Sequence, residues 1–300
     1  MIASFPRFSQ LDIEHKSEIE KFTAKFEPYS DFNFTSLFCW NIDGTTKISK
    51  LNDNLVISLS DYLSGEKIYS ILGEREIDVS LTSLIELTGK LNLVPEAVIE
   101  RMQNSLSFKI CEDRDSFDYI YNLNELAELQ GQRFKKKRNK LNRFEKKLDT
   151  SNLQVRLLKS LDSAHAQELE LLCKQWSKES RRGKGNFESE RKAIKKMLGS
   201  FDQLDLLIIE VTLKGSLVAF SVNEVIDNNF ALCHFEKAIK AEEDNIYTFL
   251  TNQTAKILRQ SGCKYANWEQ DLGLDGLRKS KLSFHPERYL KKYTLQKINS

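Results

Sequence analysis

The sequence predicts a mixed α/β protein in two successive halves, and three observations predict it. Helix-like and strand-like hydrophobic periodicities alternate along the chain. The second half reads helix, helix, three antiparallel strands, helix, strand and final strand, which builds a mixed sheet with helices on its faces. At 300 residues the chain is about two domains long. With four prolines and 12 glycines and no Ser-rich stretch, those domains abut without a tether. They are expected at 1–150 and 151–300.

The elements follow in order. Residues 14–26 read as a helix because Ile19, Phe22 and Phe26 share one face. Residues 46–51 and 55–59 alternate apolar and polar around Asn52-Asp53, a hairpin signature. Residues 81–91 read as a helix, and Pro95 suits the first turn of another over 96–102. Residues 107–111 and 119–123 read as strands. In the second half, 154–158 is a strand, 164–179 and 188–198 are helices, and 206–211, 217–225 and 230–238 are strands. Lys214-Gly215 turns between the first two of these. Residues 246–258 place Ile246, Phe249, Leu250, Ile257 and Leu258 on one helical face, ended by Gly262. Residues 265–269 and 289–295 are the last strands.

The most unusual segment is 133–148. Phe134, Leu141, Phe144 and Leu148 form one apolar stripe, and nearly everything else is basic. Between Gly131 and Lys147 stand nine Lys or Arg against Glu145 alone. The whole chain carries 45 Lys+Arg against 43 Asp+Glu, or +2, so this net +8 leaves −6 on the remainder. Charge segregated in this way attracts phosphates, with a salt-sensitive affinity. Lys135, Lys136, Lys137, Arg138 and Asn139 are therefore the candidate contacts to a phosphate-bearing donor. The loop Arg181-Arg182-Gly183-Lys184-Gly185 can extend that patch. A solvated surface helix packed by its stripe is the plainer alternative.

Several classes are excluded. No stretch approaches the ~18 apolar residues of a membrane span, and the first residues lack the basic and apolar regions of a secretory signal. Five scattered cysteines without a C-x-x-C pair point away from a disulfide framework or zinc knuckle and toward a reducing cytoplasm. There is no P-loop, G-x-G-x-x-G or H-E-x-x-H, and no metal or firm cofactor is expected. No Ser or Cys sits in a nucleophile elbow, so direct attack by a bound acceptor is simpler than a covalent intermediate.

Carboxylates are the chemical candidates. Glu224, Glu236, Glu269 and Asp271 stand at or beside strand ends. Glu236 lies in the otherwise apolar run Cys233-His234-Phe235-Glu236-Lys237, and burial there would raise its pKa toward neutrality, as a general base requires. The competing reading is an ion pair with Lys237 or Arg278. Arg278 and Lys281 share a helical face and can meet a developing oxyanion. His234 reads better as a satisfied core histidine than as a base. Asp113, Arg114, Asp115, Asp118 and Tyr119 read as a strand-leading turn with an Arg–Asp pair.

Three stretches carry a resemblance: Asp113 to Tyr121 followed by Lys136-Lys137-Arg138-Asn139; Ala219 to Glu224 with His234 to Ala238; and Asn267 to Ser283. Their order and spacing resemble bacterial proteins that share the C-terminal domain of phosphatidylglycerol lysyltransferases. More distantly, they resemble Fem-type aminoacyl transferases. The resemblance runs from about Phe32 to Tyr293 and implies two tandem GNAT-like (acetyltransferase-like) domains, each a mixed sheet flanked by helices. It implies transfer of an activated acyl group from aminoacyl-tRNA or acyl-CoA to an amine or hydroxyl, on a small molecule or a lipid head group. The partners would be tRNA or CoA held by the basic helix, with Glu236, Asp271, Arg278 and Lys281 as catalytic residues. The turn at 240–245 holds three acids and no glycine, which disfavours a CoA pyrophosphate there. A CoA-dependent N-acetyltransferase and a non-catalytic binder of nucleic acid or metabolite are the alternatives. Binding of acetyl-CoA but not tRNA would select the first, and tRNA binding without transfer the second.

Overall fold

The structure is a computed structural model. It describes all residues except 62–63, 104–106, 148–151, 180–183, 228, 240–244 and 299–300, together with the side chains of 147 and 184–187. The expected basic loop at 181–185, most of the turn at 240–245, and Leu148 at the end of the apolar stripe lie outside the described residues.

Two compact units are present. The first comprises Met1–Asp118, Gln270–Leu277 and Tyr289–Ser300, and the second Tyr119–Glu269 and Arg278–Arg288. These bounds differ from a division at 150: the basic helix falls in the second unit and the final strand in the first. Both assignments have packing causes, given with the elements below.

The chain opens with β1 (Ser9–Gln10), α1 (Lys16–Thr23) and α2 (Phe34–Trp40), the last capped by Asn33, whose side chain accepts from Ser36 N. Next come β2 (Lys47–Leu51) and β3 (Asn54–Ser60). Asn52 and Asp53 join them with φ of 49° and 59°, the two-residue turn whose twist suits a hairpin and which Asn and Asp tolerate. β4 (Lys67–Leu72) completes an antiparallel sheet in the order β1-β2-β3-β4. α3 (Ile77–Thr88) buries Ile77, Leu81, Leu84 and Ile85 and ends at Gly89, φ 76°. The left-handed glycine stops the helix early, so Leu91, expected in a helix, lies in β5 (Lys90–Pro95). The helix expected over 96–102 is the single turn α4 (Glu96–Ile99), followed by β6 (Phe108–Glu112).

The chain continues through β7 (Asp118–Asn122), α5 (Leu123–Glu128), the basic helix α6 (Lys135–Lys147), β8 (Leu153–Leu158), α7 (Ser163–Glu179) and α8 (Lys184–Gly199). Three long strands follow: β9 (Leu206–Leu213), β10 (Ser216–Val225) and β11 (Phe230–Ala238). Lys214 and Gly215 turn between β9 and β10 with φ of 51° and 79°, as their sequence predicts. α9 (Ile246–Gln260), β12 (Tyr265–Asn267) and α10 (Asp275–Leu282) come next. The final strand expected over 289–295 is two, β13 (Arg288–Leu290) and β14 (Lys292–Lys297).

The seven-stranded sheet runs β13-β7-β12-β11-β10-β9-β8. β11 and β12 pair in parallel, joined through α9 as a parallel crossover requires. α9 rests on this sheet and also receives α6, with Phe144 tilted against Phe249 at 5.1 Å between ring centres. Asn252 of α9 donates to Leu126 O and Ala127 O at the end of α5. These contacts tie the basic helix to the second unit. β14 is the central strand of a separate sheet, β5-β14-β6, which returns the end of the chain to the first unit. The fold is thus a mixed α/β arrangement, as the alternating periodicities predict, and has the GNAT-like character that the resemblance implies.

Candidate active site

In the second unit, strand alternation puts Ser221 of β10 directly opposite Glu236 of β11, so both side chains leave the same face of the sheet. That face lies under α9, whose buried side includes Thr248, Thr251, Asn252 and Thr254. The hydroxyls have partners in the sheet. Thr254 Oγ1 and Ser221 Oγ share a hydrogen bond of 2.9 Å, Thr251 Oγ1 donates to Glu236 Oε2 at 3.2 Å, and Asn223 Nδ2 donates to Ser221 Oγ at 2.9 Å. A polar row therefore runs through an otherwise apolar layer.

That row is incomplete. Glu236 Oε1, Asn223 Oδ1 and Trp268 Nε1 are all buried without a hydrogen-bond partner. Buried polar groups are almost always paired; these three share the condition with Glu210 Oε1 of the same unit, and among them Glu236 and Trp268 act on one another. Trp268 follows β12 and packs edge-on against Tyr121 at 5.4 Å. Its N–H lies near enough to Glu236 to draw the carboxyl's pKa down, yet completes no hydrogen bond with it. Burial is the larger influence. It pushes Glu236 up to about 7, against the pull of Trp268, Thr251, Lys281 and Lys237. A carboxyl poised there changes charge near neutral pH.

Lys237 points to the opposite face. It pairs with Glu190 at 2.8 Å and sits over the Trp176 ring at 4.2 Å, so the ion pair expected between it and Glu236 is not formed. His234 stands between two acids, with Nε2 3.1 Å from Glu224 Oε2 and Nδ1 3.1 Å from Glu269 Oε1. Burial alone would lower its pKa, but the two glutamates outweigh burial and hold it at about 9. It is an imidazolium locked in the core and has no free base to offer. Glu224 and Glu269 are spent on the same clamp. Glu269 adopts φ 57°, uncommon for a residue with a Cβ. The turn is held by its N–H to Asn267 Oδ1 at 2.6 Å and by Lys281, whose Nζ donates to the carbonyls of Trp268 and Glu269.

α10 carries Arg278 and Lys281 on one face, as expected. Lys281 is occupied with the backbone of the Trp268–Glu269 turn, and it also lies close enough to Glu236 to lower that carboxyl's pKa. Arg278 is half-buried.

The basic helix starts at Lys135. Phe134, Leu141 and Phe144 are buried as the stripe predicts, and Lys135, Lys136 and Asn139 are exposed. Two of its cations depart from the surface role. Arg138 turns back to donate to Leu129 O and Gly131 O, closing the turn after α5. Lys137 is only 9 % exposed, with its ammonium 3.3 Å from the centre of the Phe284 ring. Burial, then the neighbouring Lys140, lower its pKa to about 8, while Glu236 pulls it back up. Position 137 is three residues past Phe134 and four before Leu141, so the stripe itself could have singled it out. Trp268 was equally missed as a site residue, since nothing in sequence announces an indole without a partner.

Asp271 belongs to the first unit. It is fully buried, its Oδ1 accepts from Gly273 N at 2.9 Å, and its Oδ2 meets Arg114 at 3.4 Å. Arg114 also lies over the Phe117 and Tyr289 rings, and Ser116 Oγ donates to Asp113 Oδ2 at 2.8 Å. The sequence predicts an Arg–Asp pair within residues 113–119; the pair in the structure joins Arg114 to Asp271, whose other oxygen is taken by Gly273 N. The same unit contains Lys292 buried with Asp118 at 2.8 Å and with Asp31. Burial raises Asp31 to about 6 even against Lys292. Among the described residues no group of three or more His, Cys, Asp or Glu is arranged to hold a metal ion.

A mixed α/β fold of GNAT-like character thus carries a poised carboxyl and unfilled hydrogen-bonding atoms in its second unit. The family described as phosphatidylglycerol lysyltransferase, C-terminal, matches residues 23–296, and the chain belongs to that family. A conserved protein of unknown function from Bacteroides thetaiotaomicron is 27 % identical, with a TM-score of 0.81 over 99 % of this chain and 100 % of that one. The C-terminal domain of a putative lysylphosphatidylglycerol synthetase from Agrobacterium fabrum is 13 % identical, with a TM-score of 0.66 over 96 % and 93 %. FemX shares the fold at 9 % identity, with a TM-score of 0.59 over 98 % of each chain. A comparison with curated proteins finds no match. Among the described residues no helix is long and apolar enough to cross a membrane.

Proposed function

We propose that the chain transfers an activated acyl or aminoacyl group to an amine or hydroxyl, with Glu236 as the group that takes the acceptor's proton. The observation that carries this reading is Glu236 itself, poised near pH 7 with Oε1 unpartnered beside an unpartnered indole N–H. Membership of the lysyltransferase family supports it. The donor is a phosphate-bearing carrier, aminoacyl-tRNA in preference to acyl-CoA. The exposed cations Lys135, Lys136 and Lys140 suit a polyanion contacted over a wide surface. The acceptor is a small molecule or a lipid head group, and the reaction takes place in the cytoplasm. Arg278 remains the candidate for a phosphate or for developing charge. Asp271, engaged by Arg114 and Gly273, holds its turn.

The test supplies bulk tRNA charged with labelled amino acids, or labelled acetyl-CoA, together with soluble amines or phosphatidylglycerol vesicles. Label should move to an acceptor, and Glu236→Gln should abolish the movement. Reversing Lys135, Lys136 and Lys140 to Glu should flatten the salt dependence of tRNA binding as well as weaken it. Binding of tRNA by wild type without transfer to any acceptor would leave a binding protein instead.

A further inference from the structure

Trp268 Nε1 lies near the Glu236 carboxyl but completes no hydrogen bond, in a residue that is 9 % exposed. A second donor is felt electrostatically by the same carboxylate. Among the described residues Lys137 makes neither hydrogen bond nor ion pair, and its ammonium rests on Phe284 while sensing the charge of Glu236. By contrast, Lys281 already donates to two backbone carbonyls, and Lys237 to Glu190. Of the groups that act on Glu236, the indole of Trp268 and the ammonium of Lys137 are the donors that complete no hydrogen bond with the protein among the described residues. A donor with no acceptor in a dry site costs about 1–3 kcal/mol to keep and is best explained by an acceptor that arrives with the ligand.

We propose that Trp268 Nε1 and Lys137 Nζ together form an oxyanion-binding pair, and that Lys137 is thereby a catalytic residue in place of Lys281. The inference rests on the transfer reading above and assigns its electrophilic half. In the step, the acceptor's nitrogen or oxygen bonds to the acyl carbon, the carbonyl π pair moves to its oxygen, and Glu236 Oε1 takes the acceptor's proton. Trp268 and Lys137 donate to the new oxyanion. Collapse restores the C=O bond and breaks the bond to the donor's oxygen or sulfur, and Glu236 returns the proton to that leaving group. Such donors are most effective when fixed in advance in a site of low dielectric. Both side chains here are buried and braced, one on Tyr121 and the other on Phe284.

The experiment needs no knowledge of donor or acceptor. Phenyl methylphosphonate, a tetrahedral monoanion, mimics the intermediate, and acetanilide is its planar neutral counterpart. Binding is followed on the indole 1H–15N resonance of Trp268, assigned among the three tryptophans by its loss in Trp268→Phe. The phosphonate should move that resonance saturably. Lys137→Met, which keeps the stem on Phe284, should weaken phosphonate binding at least about tenfold, the worth of one hydrogen bond to a charged group. Lys137→Arg should restore most of it, and acetanilide should not distinguish the three proteins. Unfolding temperatures of the variants establish that they fold. An unmoved Trp268 resonance at saturating phosphonate, no phosphonate binding by wild type, or equal affinity in wild type and Lys137→Met would overturn the proposal. Failure of the transfer reading is seen separately, as absence of label transfer while the phosphonate results stand.

Discussion

Replacing His234 with Gln tests the electrostatic core of the second unit without any knowledge of substrate. In the folded protein the imidazolium titrates at about 9, held by Glu224 and Glu269 against the cost of burial. An unfolded histidine titrates near 6.5. A raised folded pKa contributes stability that is complete below the unfolded value and is lost as pH rises through the folded one. The difference of about 2.5 units is worth about 3 kcal/mol, lost at about 1.4 kcal/mol per pH unit between pH 6.5 and 9. Urea unfolding from pH 6 to 9.5 should show this slope in wild type and lose it in His234→Gln/Glu224→Gln, where the second change avoids stranding a buried carboxylate. Glu236 and Lys137 also titrate near this range, but they are common to both proteins and cancel in the difference. Equal slopes would mean that the histidine is neutral in the fold, and the clamp described here would be wrong.

Other outcomes follow from the same coordinates. If Glu236 acts as base and Lys137 as cation, transfer should have a bell-shaped pH dependence. Its rising limb should lie near 7 and its falling limb near 8, the values the two groups hold; kcat/KM measured in Lys137→Arg should keep its activity past the upper limb. Lys292→Met removes the cation shared by buried Asp31 and Asp118 and should cost about 3–5 kcal/mol in chemical denaturation; adding Asp118→Asn should recover part of that loss. Gly273→Ala should destabilise the first unit, because Gly273 has φ 67° and a Cβ there would lie 2.7 Å from Asp115 Oδ2; a loss of about 1 kcal/mol or more is expected, and an unchanged midpoint would refute it.

Local chemistry predicted much of the fold. Asn52-Asp53 and Lys214-Gly215 turn where they should, and β10, β11 and α9 lie within a residue or two of their expected bounds. The errors share a cause. Leu91 looked helical because Leu81, Leu84 and Ile85 share its spacing pattern, yet Gly89 ends α3 first. β5, β6 and β14 pair across nearly 200 residues of sequence, and no local period reports such a partner. The interleaving of the two units at Asp118/Tyr119 and at Glu269/Gln270 is hidden for the same reason.

For the site, sequence placed Glu236 on an apolar strand and so anticipated its raised pKa. It also anticipated His234 as a paired core residue, whereas the pairing of Asp271 with Arg114 was not legible in it. It treated the basic helix as one set of cations. The structure divides that set: Lys135 and Lys136 face solvent, Arg138 closes a turn, and Lys137 enters the core beside Glu236.

By itself the amino-acid sequence determined the α/β alternation, the segregated charge and the family, because periodicity, turn residues and motif spacing are local properties. Tertiary structure alone decided which polar atoms go without partners. Whether Trp268 N–H, Glu236 Oε1 or the Lys137 ammonium is satisfied depends on what distant segments bring to it, and hydrogen bonding is decided by distance and angle in space.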